Sequence, residues 1–133
     1  MPESAPPPSA PAAFSIRLRL MSFVHAGRGL RWLVQGEHNA WVHLAATVAV
    51  ILAGFALDLS LADWRWIVLA IALVWLAEAL NTAIEELADR VCSEFDPAIG
   101  RVKDIAAGGV LVASIAAAAI GGLTFIPAII EKL

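Results

Sequence analysis

Four side chains set the chemistry open to this chain. Glu78, Asn81, Glu85 and Asp89 all lie in the stretch from Glu78 to Asp89. At 100° per residue they fall within one helical stripe about 80° wide. The stretch closes a long apolar run, and a carboxylate at membrane depth costs roughly 2.5–3.5 kcal/mol on insertion scales. A chain that keeps several on one stripe has a use for them. Carboxylates near a membrane surface could hold a hard cation such as Mg²⁺, which takes oxygen ligands and shares them with phosphates. A further carboxylate in an apolar setting could serve as a general base. Lys103 and the arginines of the loop before it could neutralise phosphate charge. Together these are parts for moving a phosphoryl group onto something in the bilayer.

Each of these residues also has a plainer reading. Glu85, Glu86, Asp89 and Arg90 fit a solvated helix end, and Asn81 fits an interhelical hydrogen bond. Asp104 suits a helix start, Lys103 an interfacial snorkeler, and His43 a packed polar residue rather than a ligand. Glu78 is the hardest to explain that way, standing about three turns inside the run. No Gly-x-x-x-x-Gly-Lys-Ser/Thr stretch or kinase Gly-rich loop occurs, and Gly27-Arg28-Gly29 is too short to be either. His25, His38 and His43 form no metal-type pair, and Cys92 is alone, which excludes a disulfide framework. A proton-relay or assembly subunit would also want buried carboxylates, and this is the non-enzyme alternative. The phosphate-neutralising cluster beside the acids argues against it.

The elements that must carry these groups are read from hydropathy. The chain has 133 residues, is 60% hydrophobic and only 16% charged, with net charge −3. Its mean hydropathy is +0.79. A soluble domain this small could not hide so much apolar surface, so lipid is the expected solvent. Residues 1–13 are Pro/Ser/Ala-rich, lack the regions of a signal peptide, and read as a disordered cytoplasmic tail. From there to the C-terminus one domain is expected. Residues 14–35 mix Arg17, Arg19, Arg28 and Arg31 with Phe14, Ile16, Phe23, Leu30 and Trp32, the pattern of an amphipathic helix lying on an anionic surface.

Three apolar spans follow at about 40–57, 64–87 and 102–126. Asp63 is the expected cap of the second span, and a polar loop from Arg90 to Arg101 precedes the third. Ala106, Ala107, Gly108 and Gly109 would let the third approach its neighbours closely. Seven of the nine Lys and Arg residues fall on the side of the N-terminus and this loop; only Arg65 and Lys132 fall opposite. That bias puts the N-terminus and the loop in the cytoplasm. Trp41, Trp64 and Trp66 suit interfacial anchors. Glu37, Glu78, Glu85, Asp89, Lys103 and Asp104 then all converge on the cytoplasmic leaflet.

The residues Glu78-Ala-Leu-Asn81-Thr82-Ala83-Ile84-Glu85, then Asp89, then Lys103-Asp104-Ile-Ala-Ala-Gly-Gly-Val-Leu, resemble the signature of the prokaryotic diacylglycerol kinase family. The resemblance runs from about Phe23 to Ile126. It implies an all-α bacterial inner-membrane protein, a homotrimer of three-span subunits each with an N-terminal surface helix. It also implies a lipid kinase that uses ATP and Mg²⁺, with no nucleic-acid partner. By the same resemblance Glu78 is the general base that takes the proton from the lipid hydroxyl. Glu37 and Glu85 bind the metal that bridges the ATP phosphates. Glu94, Phe95, Asp96, Lys103 and Asp104 contact the nucleotide, and Asn81 and Asp89 support the site. The family's N-terminal arginine aligns with Leu18, which Arg17 and Arg19 straddle, so either arginine is a candidate. Glu37-His38-Asn39 with His43, and the Ala-Ala-Gly-Gly after Asp104, resemble the undecaprenol kinase branch. Asp89-Arg90, Ser93-Glu94 and Gly100-Arg101 resemble the diacylglycerol branch. The middle loop tips the expectation towards diacylglycerol converted to phosphatidic acid, with undecaprenol as the alternative acceptor.

Overall fold

The structure, a computed structural model, describes residues 15–133. The tail expected over residues 1–13 and the expected helix start at Phe14 lie outside the described residues. Four helices follow in order: α1 (Ile16–Gly36), α2 (His38–Ala56), α3 (Leu61–Val91) and α4 (Pro97–Ile130). The last three are each long and apolar enough to cross a membrane.

The buried residues of α3 explain how the bundle is organised. Ile67, Ala70, Val74, Glu78, Asn81 and Ala88 are all buried. Their spacing of three, four and seven residues marks a single inward-facing stripe. Along its first half the stripe is apolar, and at Glu78 the sequence substitutes polar groups without changing face. Glu78 and Asn81 are therefore core positions of α3. Helix α4 returns antiparallel along α3 and contributes buried Ala113 and Thr124. Small residues such as Ala113 allow the close approach that holds membrane helices together where lipid offers no hydrophobic drive.

Helix α2 pairs with the first half of α3 across the turn at residues 57–60. The pairing is fixed at two heights. Near the turn, Trp64 lies against Phe55 with ring centroids 4.9 Å apart. A Cβ on Gly54 would come within 2.8 Å of the Trp64 ring, so only glycine fits there. Further along, the Trp75 indole Nε1–H donates to Thr47 Oγ1 at 3.0 Å. Trp64 is thus half-buried packing as well as a residue near a span end, whereas Trp41 and Trp66 face outward.

Two helix ends differ from the sequence expectation. The cap of α3 is Ser60, not Asp63. Ser60 Oγ accepts from the Asp63 backbone N–H at 3.2 Å, and Asp63 Oδ2 accepts in return from the Ser60 N–H at 3.3 Å. This reciprocal box lets α3 begin at Leu61 rather than near Trp64. The loop expected from Arg90 to Arg101 contracts to residues 92–96, because Pro97 occupies the first turn of α4 and Asp96 caps it, accepting from Ala98 N–H at 2.7 Å. At the opposite end of the molecule, Lys132 Nζ donates to Asp58 Oδ2 at 2.8 Å and to the Ala56 carbonyl at 3.1 Å. That contact ties the end of α4 to the α2–α3 turn. It also leaves α1, the C-terminal end of α3 and the start of α4 together at the other end, the grouping the charge bias implies.

Candidate active site

Glu37 is both the last cap of α1 and the residue before α2, where the backbone is extended. That break in the helix turns α2 away from α1 and leaves Glu37 half-buried at the junction. Its neighbour across the bundle is the polar part of the α3 stripe. Glu78 is the most buried polar residue described, at 1% exposure, and Asn81 is 6% exposed. Glu85 is half-buried and Asp89 exposed, so the stripe grades from core to surface within four turns. The charges of Glu37 and Glu85 both act on the Glu78 carboxyl, as does the His43 ring. The structure therefore brings Glu37, Glu78, Asn81 and Glu85 together.

Within this cluster Asn81 Nδ2 donates to Glu85 Oε1 at 3.1 Å. The bond fixes one Glu85 oxygen and leaves the other free for a ligand. Among the described residues, three buried side-chain polar atoms have no hydrogen-bond partner: Glu78 Oε2, Asn81 Oδ1 and Thr82 Oγ1. Buried polar groups are usually satisfied, so three such atoms within two turns mark this stretch as the candidate site. Thr82 also lines a groove between α1 and α3, with Gly29, Leu33, Glu37, Ala83 and Glu86 among its walls. Thr82 is thus a polar wall of the site that helical spacing and charge do not single out.

The sequence reads His43 as a packed polar residue, and it is half-buried. Its Nε2 lies 3.6 Å from Glu78 Oε2. The signal for this contact is the turn length. In an antiparallel pair about the turn at residues 57–60, residue 43 stands opposite residue 78, just as Thr47 stands opposite Trp75.

The nucleotide-side expectations are placed as follows. Lys103 Nζ pairs with Asp89 Oδ1 at 2.6 Å, linking the ends of α3 and α4. Glu94 and Phe95 are exposed in the link, Asp96 caps α4, and Asp104 is exposed on its first turns. All lie at the same end of the bundle as Glu85. Arg17 and Arg19 do not join them within one chain. They sit at the far end of α1, about 27–30 Å from Glu37 at 1.5 Å per residue.

Among the described residues, no group of three or more His, Cys, Asp or Glu side chains could hold a metal ion by itself. Two carboxylates, Glu37 and Glu85, with the orphaned Asn81 oxygen nearby, are still a fitting donor set for Mg²⁺. That ion keeps few protein ligands and takes the rest from phosphates and water.

The chain is similar to known proteins over most of its length. The sequence profile of the family described as prokaryotic diacylglycerol kinase matches residues 24–125. The undecaprenol kinase of Bacillus subtilis is 42% identical over 106 residues, covering 80% of this chain and 86% of the relative. A diacylglycerol kinase of Synechocystis is 34% identical over 115 residues, 86% of this chain and 66% of the relative. The diacylglycerol kinase of Escherichia coli K12 is 36% identical over 96 residues, 67% of this chain and 77% of the relative. The matched region contains all of α2 and α3 and most of α4, with every carboxylate of the cluster, and the chain belongs to the prokaryotic diacylglycerol kinase family of lipid kinases.

Proposed function

We propose that this protein transfers the γ-phosphoryl group of ATP directly to the hydroxyl of a membrane lipid, with Glu78 as general base. The observation that carries the proposal is the burial of Glu78 beside two other carboxylates, its Oε2 without a hydrogen-bond partner. A carboxylate buried in the bundle is positioned to accept a proton from a substrate hydroxyl.

In this reading Glu37 and Glu85 would hold Mg²⁺, which would supply charge neutralisation for phosphoryl transfer. Asn81 fixes Glu85 in orientation through the 3.1 Å hydrogen bond. Lys103, with Glu94, Phe95, Asp96 and Asp104, receives the nucleotide at the cytoplasmic face, and Asp89 holds the Lys103 ammonium in place. The lipid hydroxyl reaches Glu78 from the bilayer and loses its proton to the carboxylate as its oxygen attacks the γ-phosphorus in line. The bond to the β-phosphate oxygen breaks and ADP leaves. Positioning and charge neutralisation account for most phosphoryl-transfer catalysis, so no covalent phosphoenzyme is required. Arg17 and Arg19 stand too far from Glu37 to act in their own subunit, which supports assembly as a homotrimer in which α1 lies on the inner-membrane surface, N-terminus cytoplasmic.

As acceptor we propose undecaprenol. The 42% identity to an undecaprenol kinase supports it, as do Glu37-His38-Asn39 and His43, the last placed against Glu78. Diacylglycerol, converted to phosphatidic acid, is the second reading. Asp89-Arg90, Ser93-Glu94 and Gly100-Arg101 favour it, together with the 34–36% identity to two diacylglycerol kinases. The test of the kinase reading is ATP consumption by purified protein in mixed micelles. Consumption should require Mg²⁺ and rise when lipid is added; consumption indifferent to lipid would refute the reading.

A further inference from the structure

We propose that His43 is a positioning residue for the general base. Its Nε2–H donates to Glu78 Oε2 in the productive state and turns the other carboxylate oxygen towards the acceptor hydroxyl. The inference rests on the reading of Glu78 as base. The two atoms are 3.6 Å apart, and Oε2 is buried with no hydrogen-bond partner. That separation is too long for a hydrogen bond, but catalytic contacts are often loose before substrate binds and tighten afterwards.

The register that makes the contact is independently fixed. One turn along, the Trp75–Thr47 hydrogen bond at 3.0 Å locks α2 against α3. On its other side His43 borders an apolar cavity of about 330 Å³ between α2, α3 and α4, whose walls include Val50, Val74, Ala117 and Phe125, with Ser114 as the polar group from α4. The ring therefore meets largely apolar walls on one side and a buried carboxylate oxygen on the other.

A single hydrogen bond to Oε2 removes the rotational freedom of the carboxylate. During transfer the acceptor proton passes to the other Glu78 oxygen, and the acceptor oxygen bonds to phosphorus as the bond to ADP breaks. His43 keeps its own proton throughout.

The test is steady-state kinetics of His43→Gln, His43→Asn and His43→Phe, with wild type and Glu78→Gln alongside. The assay uses ATP, Mg²⁺ and undecaprenol or diacylglycerol in mixed micelles. Gln can place a donor near the Nε2 position, Asn is too short, and Phe keeps the ring without the donor. For Phe and Asn, kcat should fall about 10- to 100-fold, the range expected for a misplaced catalytic group. KM for ATP and lipid should change less than about twofold, and Gln should stay within about threefold of wild-type kcat. Thermal unfolding in detergent checks that each variant folds; if Phe does not, the Gln–Asn contrast decides. Wild-type kcat in Asn or Phe, or equal losses in Gln and Asn, would overturn the proposal. If Glu78→Gln is dead while the His43 variants are normal, this inference alone fails. If wild type phosphorylates neither lipid, the underlying reading fails with it.

Discussion

At the residue scale the decisive fact is that Glu78 sits on the same inward stripe as Ile67, Ala70 and Val74. A carboxylate in that position is paid for in stability, so its removal separates chemistry from folding. Glu78→Gln should abolish turnover, by about 100-fold or more for loss of a general base, while ATP binding measured by titration calorimetry stays near wild type. Turnover close to wild type would disprove its role. Glu85→Gln should act differently, weakening Mg²⁺-nucleotide binding, which the same titration reads as a rise in Kd. The stripe itself is legible in the sequence, because four polar residues at helical spacing stand out against an apolar run. The role of His43 is not, because its partner lies thirty-five residues away and becomes visible only once the turn at residues 57–60 sets the register.

At the scale of elements, the α2–α3 hairpin controls the site from a distance. Gly54→Ala would push a methyl into the Trp64 ring, and overpacking of this kind costs about 1–3 kcal/mol. The thermal midpoint should fall, with activity falling in step as His43 and Glu78 lose register. Ser60→Ala removes the acceptor of the capping box and should cost about 1 kcal/mol, with little effect on kcat. The Asp58–Lys132 pair is an acid-side clasp. Lys132 holds the Asp58 carboxyl below its ordinary range, so its contribution is present above that range and is lost as pH falls through it. Asp58→Asn should therefore flatten the acid limb of thermal stability slightly. Hydropathy locates these helices but blurs their ends. The capping box and the Asp96-Pro97 start extend α3 and α4 beyond their apolar cores, and caps are local polar geometry that a hydropathy window averages away.

At the scale of the whole molecule, helix length places the chemistry in the membrane. The 31 residues of α3 span about 46 Å, against a hydrocarbon core of about 30 Å. Counted from Leu61, about 20 residues cross that core, so Glu78 lies near the edge opposite the α2–α3 turn and Glu85 and Asp89 project beyond it. A lipid hydroxyl and a soluble nucleotide can meet at that height. The core of one chain is narrow, and Leu69, Leu76, Leu111 and Leu123 face outward. The proposed homotrimer predicts a detergent-corrected mass three times the 14.0 kDa chain by sedimentation; a monomer that is fully active would contradict it. The charge bias and the span count can be read from sequence, whereas which copies share a site depends on contacts between chains. Lipid phosphorylation through Glu78 is tested most simply by transfer of labelled phosphate from ATP to undecaprenol and to diacylglycerol, assayed in parallel with Mg²⁺ and purified protein. A labelled lipid is expected, with undecaprenol the better acceptor, and no label with Glu78→Gln. Folded wild-type protein that labels neither lipid would show that this chain is not the lipid kinase proposed.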